Sequence, residues 1–214
     1  MKLPLILIGA GGHARVLLDA LLGAGRTVHG LTDAEPAKAG QVVQGVPVLG
    51  DDAEVSAFAP EAVRLVNGIG SVRVSVQRRR IFEDFRKHGY HFERVVHASA
   101  IVASDVILAE GAQIMAGVVL QTGSRIGENA IINTRAAVDH DCEIGSHVHV
   151  SSGAILCGNV SVGESSHIGA GATVIQGVQV GRNCLVAAGA VVIRDVPDGV
   201  TVAGVPAKEI SKRK

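Results

Sequence analysis

Ile126-Gly127-Glu128-Asn129-Ala130-Ile131-Ile132-Asn133-Thr134-Arg135-Ala136-Ala137-Val138-Asp139-His140-Asp141-Cys142-Glu143-Ile144-Gly145 decides the fold. Within it Ile126, Ile132, Val138 and Ile144 recur at every sixth position, and four residues after each comes a small or modest side chain: Ala130, Ala136, Cys142, Val148. Extended outward, the large aliphatic set runs without a slip from Val96 to Val192, and the small set from Ala100 to Val196. The pairs Ile126-Gly127, Ile144-Gly145, Val162-Gly163 and Val180-Gly181 add a longer period of 18 residues, or three hexads. A period of six fits neither an α-helix nor a hairpin array, but it fits short parallel strands joined by tight corners and stacked coil on coil. β-branched residues suit the strands, and Gly127, Asn129, Gly145, Gly163, Gly181 and Asn183 suit the corners. Residues 96–196 are therefore expected to form between five and six coils of a parallel β-helix.

Composition agrees. The 214 residues are 47% hydrophobic but only 2% aromatic, with 27 glycines, as a thin column lined by one large and one small residue per hexad requires. Twenty Lys+Arg balance twenty Asp+Glu, so there is no whole-chain attraction to nucleic acid or anionic lipid. No apolar run approaches the roughly 20 residues of a spanning helix, and no charged, apolar leader opens the chain. A soluble, cytoplasmic protein without nucleic-acid or membrane partners is expected. Cys142, Cys157 and Cys184 cannot all pair and form no C-x-x-C, so they are read as small buried residues rather than a disulfide framework or zinc site.

Residues 1–95 differ in texture from residues 96–214. Leu3–Ile8 reads as a buried strand, Gly9-Ala10-Gly11-Gly12 as a loop, and His13–Leu22 as a helix ending at Gly23. Thr27–Leu31 and Arg64–Val66 follow as strands and Val72–His88 as an Arg-rich helix, the alternation of a small Rossmann-like α/β unit with a parallel sheet. Gly9-x-Gly11-x-x-Ala14, with Asp33 about 20 residues further on, imitates a dinucleotide fingerprint. Glycines there let backbone N–H groups approach a phosphate at a helix N-terminus. Roughly 95 residues are too few for two mononucleotide-binding halves, so a nucleotide-sugar diphosphate is preferred to NAD.

The hexads, closed by Gly204-Val205-Pro206-Ala207-Lys208, resemble the hexapeptide-repeat acyltransferases. With Gly-Ala-Gly-Gly-His near the start and Asn67-Gly68-Ile69-Gly70 after the third strand, the whole chain is similar to the sialic-acid O-acetyltransferase-like family of sugar acyltransferases. Within that family it looks like the N-acetyltransferases of nucleotide-linked 4-amino-4,6-dideoxy sugars. The resemblance implies a left-handed β-helix, a homotrimer with active sites between subunits, and acetyl-CoA as co-substrate without a metal. It implies transfer to the C4 amine of GDP-perosamine, or of a UDP-linked 4-amino sugar next. A sialic-acid-type O-acetyltransferase is the alternative. A zinc enzyme of the carbonic-anhydrase kind is the rival from another class, suggested by His140, His147 and His149.

Acetyl transfer to an amine needs a group that takes a proton as nitrogen attacks the thioester, and His140, flanked by two carboxylates, has the right chemistry. A carboxylate on the other ring nitrogen fixes the tautomer. The resemblance implies that Asp141 does this, with Asp139 as the alternative. It also implies that Asn133, near the same edge, positions substrate, and that His149, together with backbone groups at Ala170 and Ala188, contacts acetyl-CoA. His147 and His167 are expected on the surface. Lys208 and the tail Lys212-Arg213-Lys214 are candidates for the CoA phosphates. On the sugar-nucleotide side Gly11, Gly12 and His13 would approach the diphosphate, Asp33 the ribose or base, and Gly68, Ile69 and Gly70 would line the base pocket. Asp33-Ala34, where UDP-binding relatives often carry two acids, favours GDP. Arg78-Arg79-Arg80 is read as a solvated helix face.

Overall fold

The computed structural model describes residues 2–71 and 76–210. The chain divides into two compact units, the first made of residues up to 71 together with 76–95 and the second of residues from 96 onward.

The first unit is a five-stranded sheet. Strands β1 (Leu5–Ile8), β2 (Val28–Thr32), β3 (Val42–Val43), β4 (Val46–Gly50) and β5 (Arg64–Asn67) lie in the order β3-β4-β2-β1-β5. β1 pairs in parallel with both β2 and β5, and β2 in parallel with β4. All four residues of β1 are fully buried, which explains the unbroken apolar run Leu5-Ile6-Leu7-Ile8. Helices α1 (Gly12–Gly23) and α2 (Val76–Lys87) follow β1 and β5. The core gathers Ile6, Ile8, Val55, Leu65, Phe82 and Phe92. All four phenylalanines and the single tyrosine of the chain fall in this unit.

Sequence reasoning missed β3 and β4. Gln44 and Gly45 between them both adopt left-handed φ, +50° and +83°, the two-residue hairpin turn that suits the twist of its strands. The signal was the Gln44-Gly45 pair between Val42-Val43 and Val46, with Pro47 opposite Val42 as a feature that weakens a strand reading. The expected helix Val72–His88 is seen as Val76–Lys87, and its first four residues lie outside the described ones. The run of three arginines is not uniformly solvated. Arg79 and Arg80 pair with Glu83 and Asp84 on the surface, but Arg78 is buried, because α2 turns that side onto the sheet.

The second unit is a left-handed parallel β-helix of hexapeptide repeats. Two-residue strands form three faces. Face one is six-stranded and contains Ile101–Val102, Val119–Leu120, Ala137–Val138, Ile155–Leu156, Thr173–Val174 and Val191–Val192. Face two contains Ile107–Leu108, Arg125–Ile126, Glu143–Ile144, Ser161–Val162 and Gln179–Val180. Face three includes Gln113–Ile114, Ile131–Ile132, His149–Val150, His167–Ile168 and Leu185–Val186. Each strand pairs in register with the one 18 residues away, as Ala137 does with Val119 and Ile155. The large column is buried from Ile114 to Val192 and the small column from Ala112 to Val196. With packing this close, truncating a column residue such as Leu156 to alanine costs about 2–5 kcal/mol.

The corners correct one expectation. The left-handed residue recurs at every sixth position from Gly111 to Gly189, and includes Asn129, Arg135, Asp141, Asn159 and Asn183, but not Gly127, Gly145, Gly163 or Gly181. Those four are glycine for another reason. A Cβ on Gly145 would lie 2.8 Å from the backbone nitrogen of Glu164 in the next coil, and one on Gly163 would lie 2.6 Å from that of Arg182. They permit close stacking of coils rather than an unusual φ.

Candidate active site

His140 sits in the corner that carries the chain from Ala137–Val138 on face one to Glu143–Ile144 on face two. The backbone of this corner is fastened on both sides. Asp141 N–H donates to Thr122 O at 3.0 Å, Asp139 N–H to Leu156 O at 2.9 Å, and His140 O accepts from Asn159 N–H at 2.8 Å. From inside the column, the buried Ser124 hydroxyl donates to Asp139 O at 2.7 Å and accepts from Cys142 N–H at 3.2 Å. A rigid frame thus carries an exposed ring, the arrangement a working side chain needs.

The ring nitrogen Nδ1 lies 2.9 Å from Asp141 Oδ2. A carboxylate only accepts, so Nδ1 carries the hydrogen and Nε2 keeps its lone pair. Asp139 meets the backbone instead, accepting from His140 N–H at 2.8 Å. The hydrogen bond to Asp141 holds the imidazole above its ordinary pKa of 6.5, against the opposing effect of desolvation, and the charges of Asp139 and Asp141 add to it. Cys142 faces inward, with its Sγ directed to Cys157 O, and burial pushes its thiol up, away from nucleophilic character.

The remaining candidates of this unit lie elsewhere. Asn133, Ala170 and Ala188 belong to the corner between faces three and one, and His149 to face three. The expectation that Asn133 lies near the edge of His140 is therefore not met within one chain, because the backbone between them crosses the whole of face one, and His149 lies beyond face two. The Asn133 amide nitrogen lies 3.2 Å from His149 Nε2, and Asn133 Oδ1 accepts from Thr134 N–H at 2.8 Å. Ala170 and Ala188 are exposed, with backbones stacked through Gly189 N–H to Ala170 O at 2.9 Å. His167 is not a surface residue. It is 5% exposed, its ring packs edge to face on that of His149 at 4.8 Å, and its Nε2 lies 3.0 Å from Ser151 Oγ. Burial lowers its pKa, and its Nδ1 has no hydrogen-bond partner. His147 is half-buried beside Asn129, so His140, His147 and His149 occupy three different places around the coil. Among the described residues no three His, Cys, Asp or Glu side chains converge as metal ligands would. A cleft of about 550 Å³ runs along face two past Glu143, Ser161, Gln179 and Arg182, and His140 does not line it. Lys208 is exposed, and Lys212-Arg213-Lys214 lies outside the described residues.

In the first unit the two glycine-rich loops meet. A Cβ on Gly68 would fall 2.8 Å from Ala14 Cβ and from Ile8 O, and one on Gly70 would fall 3.1 Å from His13 Cβ. Gly11 and Gly12, at the start of α1, face open space, and no side chain caps the helix. Asp33 secures this loop, its Oδ2 accepting from Ala10 N–H and Lys38 Nζ, both at 2.9 Å, and its Oδ1 from Glu35 N–H at 3.0 Å. Burial pushes the carboxyl up, but these hydrogen bonds outweigh it and hold Asp33 below the usual range. Sequence reasoning missed Arg78. Its Nη1 donates to Asn67 O at 2.8 Å and to Ile69 O at 2.7 Å, while Asn67 Nδ2 donates to Arg78 O at 3.0 Å. These bonds hold the Gly68-Ile69-Gly70 loop. The fully buried guanidinium is pushed down to about 9 by desolvation.

Among the described residues no helix is long and apolar enough to cross a membrane. Residues 4–85 match the family described as PglD N-terminal domain, and residues 159–194 the bacterial transferase hexapeptide (six repeats). Perosamine N-acetyltransferase from Caulobacter crescentus, solved in complex with CoA and GDP-perosamine, is 42% identical with a TM-score of 0.90, over 98% of this chain and 97% of that one. The acetyltransferase domain of PglB from Neisseria gonorrhoeae, also solved with acetyl coenzyme A, is 37% identical with a TM-score of 0.89, over 98% and 100%. WeeI from Acinetobacter baumannii is 25% identical with a TM-score of 0.87, over 98% and 100%. A likeness of this degree over both units and nearly every residue makes this chain a member of the hexapeptide-repeat sugar acetyltransferases of the sialic-acid O-acetyltransferase-like family.

Proposed function

We propose that this enzyme transfers the acetyl group of acetyl-CoA to the C4 amine of a nucleotide-linked 4-amino-4,6-dideoxy sugar, with GDP-perosamine as the favoured acceptor. The observation that carries the reading is the fixed His140–Asp141 pair, in a chain similar from end to end to an enzyme solved with CoA and GDP-perosamine. Forms of that relative with one histidine replaced by asparagine or alanine have been solved with the same two ligands.

The neutral C4 amine attacks the thioester carbonyl and forms a C–N bond. His140 Nε2 takes the proton that the nitrogen must shed, and Asp141 stabilises the resulting imidazolium. A backbone N–H stabilises the oxyanion. Collapse of the tetrahedral intermediate breaks the C–S bond, CoA leaves as thiolate, and the proton on His140 passes to it. No acyl-enzyme forms, in keeping with the inward-facing Cys142.

The sugar nucleotide is read onto the glycine loops, with Gly11, Gly12 and His13 at the diphosphate and Gly68, Ile69 and Gly70 at the base. Asp33 shapes the first loop as well as facing the ribose or base. His149, Asn133 and the backbone at Ala170 and Ala188 are read as the acetyl-CoA side. They lie one face away from His140, and this separation supports a homotrimer whose sites combine His140 of one subunit with those groups of a neighbour. The reaction is read as cytoplasmic, as the resemblance to enzymes that use these soluble substrates implies.

The test is acetyl-CoA consumption, read as free thiol, against GDP-perosamine, UDP-linked 4-amino-4,6-dideoxy sugars and sialic acid. Turnover with one 4-amino sugar nucleotide is expected. Turnover only with a hydroxyl acceptor would move the enzyme to O-acetylation, and a UDP preference would correct the base. Light scattering of active enzyme should give three subunits, and an active monomer would remove the shared site.

A further inference from the structure

One coil before and one coil after the His140–Asp141 pair, the corner carries a glycine against each member of the pair. A Cβ on Gly123 would fall on Asp141 Oδ1, closer than any real contact, and 3.3 Å from Asp141 Cγ. A Cβ on Gly158 would fall 2.5 Å from His140 Nε2, 2.6 Å from Cε1 and 3.1 Å from Cδ2. The carboxylate thus lies across the backbone of the preceding coil, and the ring across the backbone of the following one.

Backbone geometry favours glycine at Gly123 but demands it at neither position. Gly123 has φ +74°, but Asp141 and Asn159, one and two coils on in the same column, hold φ +57° and +59° with side chains. Gly158 has no left-handed φ, and the other members of its column, Thr122, His140 and Gln176, carry side chains. Elsewhere in the first of these columns Gly177, at φ +73°, faces open space. Side chains are missing where the pair needs room, and the room is the size of a methyl group.

We propose that Gly123 and Gly158 are positioning residues that hold Asp141 and His140 in the geometry of base catalysis by leaving seats for the carboxylate and the ring. The inference rests on the reading of His140 as the base. The other charge that acts on the ring is Asp139, whose carboxylate is turned to the backbone, and Cys157 precedes Gly158 on the following coil. Two coils before Asp141, Asp105 is engaged by Thr122 Oγ1 at 2.7 Å and Gly123 N–H at 2.9 Å. None of these supplies a second carboxylate to Nδ1.

The experiment compares Gly158→Ala, Gly123→Ala, Gly177→Ala and His140→Ala with the wild type by kcat, by both KM values, by the pH profile and by thermal melting. Gly158→Ala adds no backbone strain, so it should melt with the wild type yet lose roughly ten- to a hundredfold in kcat at little change in either KM, the scale of a misplaced reactive group. Gly123→Ala should lose kcat similarly, and its acidic limb should move down as Asp141 loses the ring. Gly177→Ala meets the same left-handed strain with an open seat and should keep wild-type kcat and pH profile. In a His140→Ala background, Gly158→Ala should cost nothing further.

The inference falls if both glycine variants stay within about twofold of wild-type kcat, if Gly177→Ala loses as much as Gly123→Ala, or if the cost of Gly158→Ala persists without His140. His140→Ala separates the two readings. A fully active His140→Ala overturns the base assignment itself, whereas an inactive one beside active glycine variants overturns only the positioning role.

Discussion

Two histidine sites in one β-helix show how the same ring is given opposite work. His140 stands at an exposed corner with a carboxylate on Nδ1, and that bond raises its pKa. His149 and His167 lie on face three, packed edge to face, with the neutral partners Asn133 and Ser151. For His167 burial lowers the pKa. A ring intended to take a proton needs an anion to receive the charge and room for the donor. A ring that fills a flank is better kept neutral. The repeat places His140 in a corner and His149 and His167 in strands, so the difference lies in the backbone position as well as in the residue beside each ring and in what covers it.

The largest test of the contrast is His140→Ala. Turnover should fall about 10²–10⁴-fold, the range for loss of a general base, while melting stays near that of the wild type because the ring is exposed. Next comes Asp141→Asn, which keeps the corner's left-handed φ, a conformation asparagine tolerates, but removes the anion. It should cost about 10–100-fold. The base works only when unprotonated, so activity falls as pH drops through the raised pKa, and Asp141→Asn should carry that limb toward lower pH. A limb that stays in place would assign the raised pKa to Asp139.

How much of this was legible follows from where the information sits. The β-helix is written as one rule repeated along the chain, so its inward columns, its 18-residue coil and the corner carrying His140 could be read directly from Val96 to Val196. The residues alone left the hydrogen-bond partner of the ring open between Asp139 and Asp141, and only the resemblance pointed to Asp141. Both adjoin His140, and only the turn of the corner sends one carboxylate to the ring and the other to the backbone. The burial of His167 was hidden because an outward-facing strand position is normally wet. In the first unit each element is specified once. The Gln44-Gly45 hairpin therefore went unread, and Arg78 passed as surface charge until α2 turned it inward.

That unit repeats the contrast between partnered and buried charge, now with Asp33 and Arg78. Asp33 is a carboxylate surrounded by donors, whereas Arg78 is a guanidinium buried for the sake of two carbonyls. Arg78→Met fills similar volume but leaves Asn67 O and Ile69 O without that donor. It should cost about 1–3 kcal/mol in chemical unfolding, the penalty of unsatisfied buried groups, and raise KM for the sugar nucleotide more than for acetyl-CoA. Equal changes in both KM values would detach the Gly68-Ile69-Gly70 loop from acceptor binding.

The smallest effect, and the one that most directly tests the opposition of the two histidines, is the pH dependence of stability. A group whose folded pKa is raised stabilises the fold below its unfolded value of about 6.5, and that contribution disappears as pH rises through the folded pKa. His140 has this sign. A group whose folded pKa is lowered does the reverse. Its contribution is complete above about 6.5 and is lost as pH falls toward the folded pKa, because the unfolded chain binds the proton first. His167 has this sign, so His167→Gln, which retains a polar group for Ser151, should flatten the loss of melting temperature between about pH 7 and pH 5. His140→Gln should steepen it slightly, since it removes a group that favours the fold in acid. Slopes that move in the same direction for the two variants would show that burial and the Asp141 carboxylate do not oppose each other as the geometry requires.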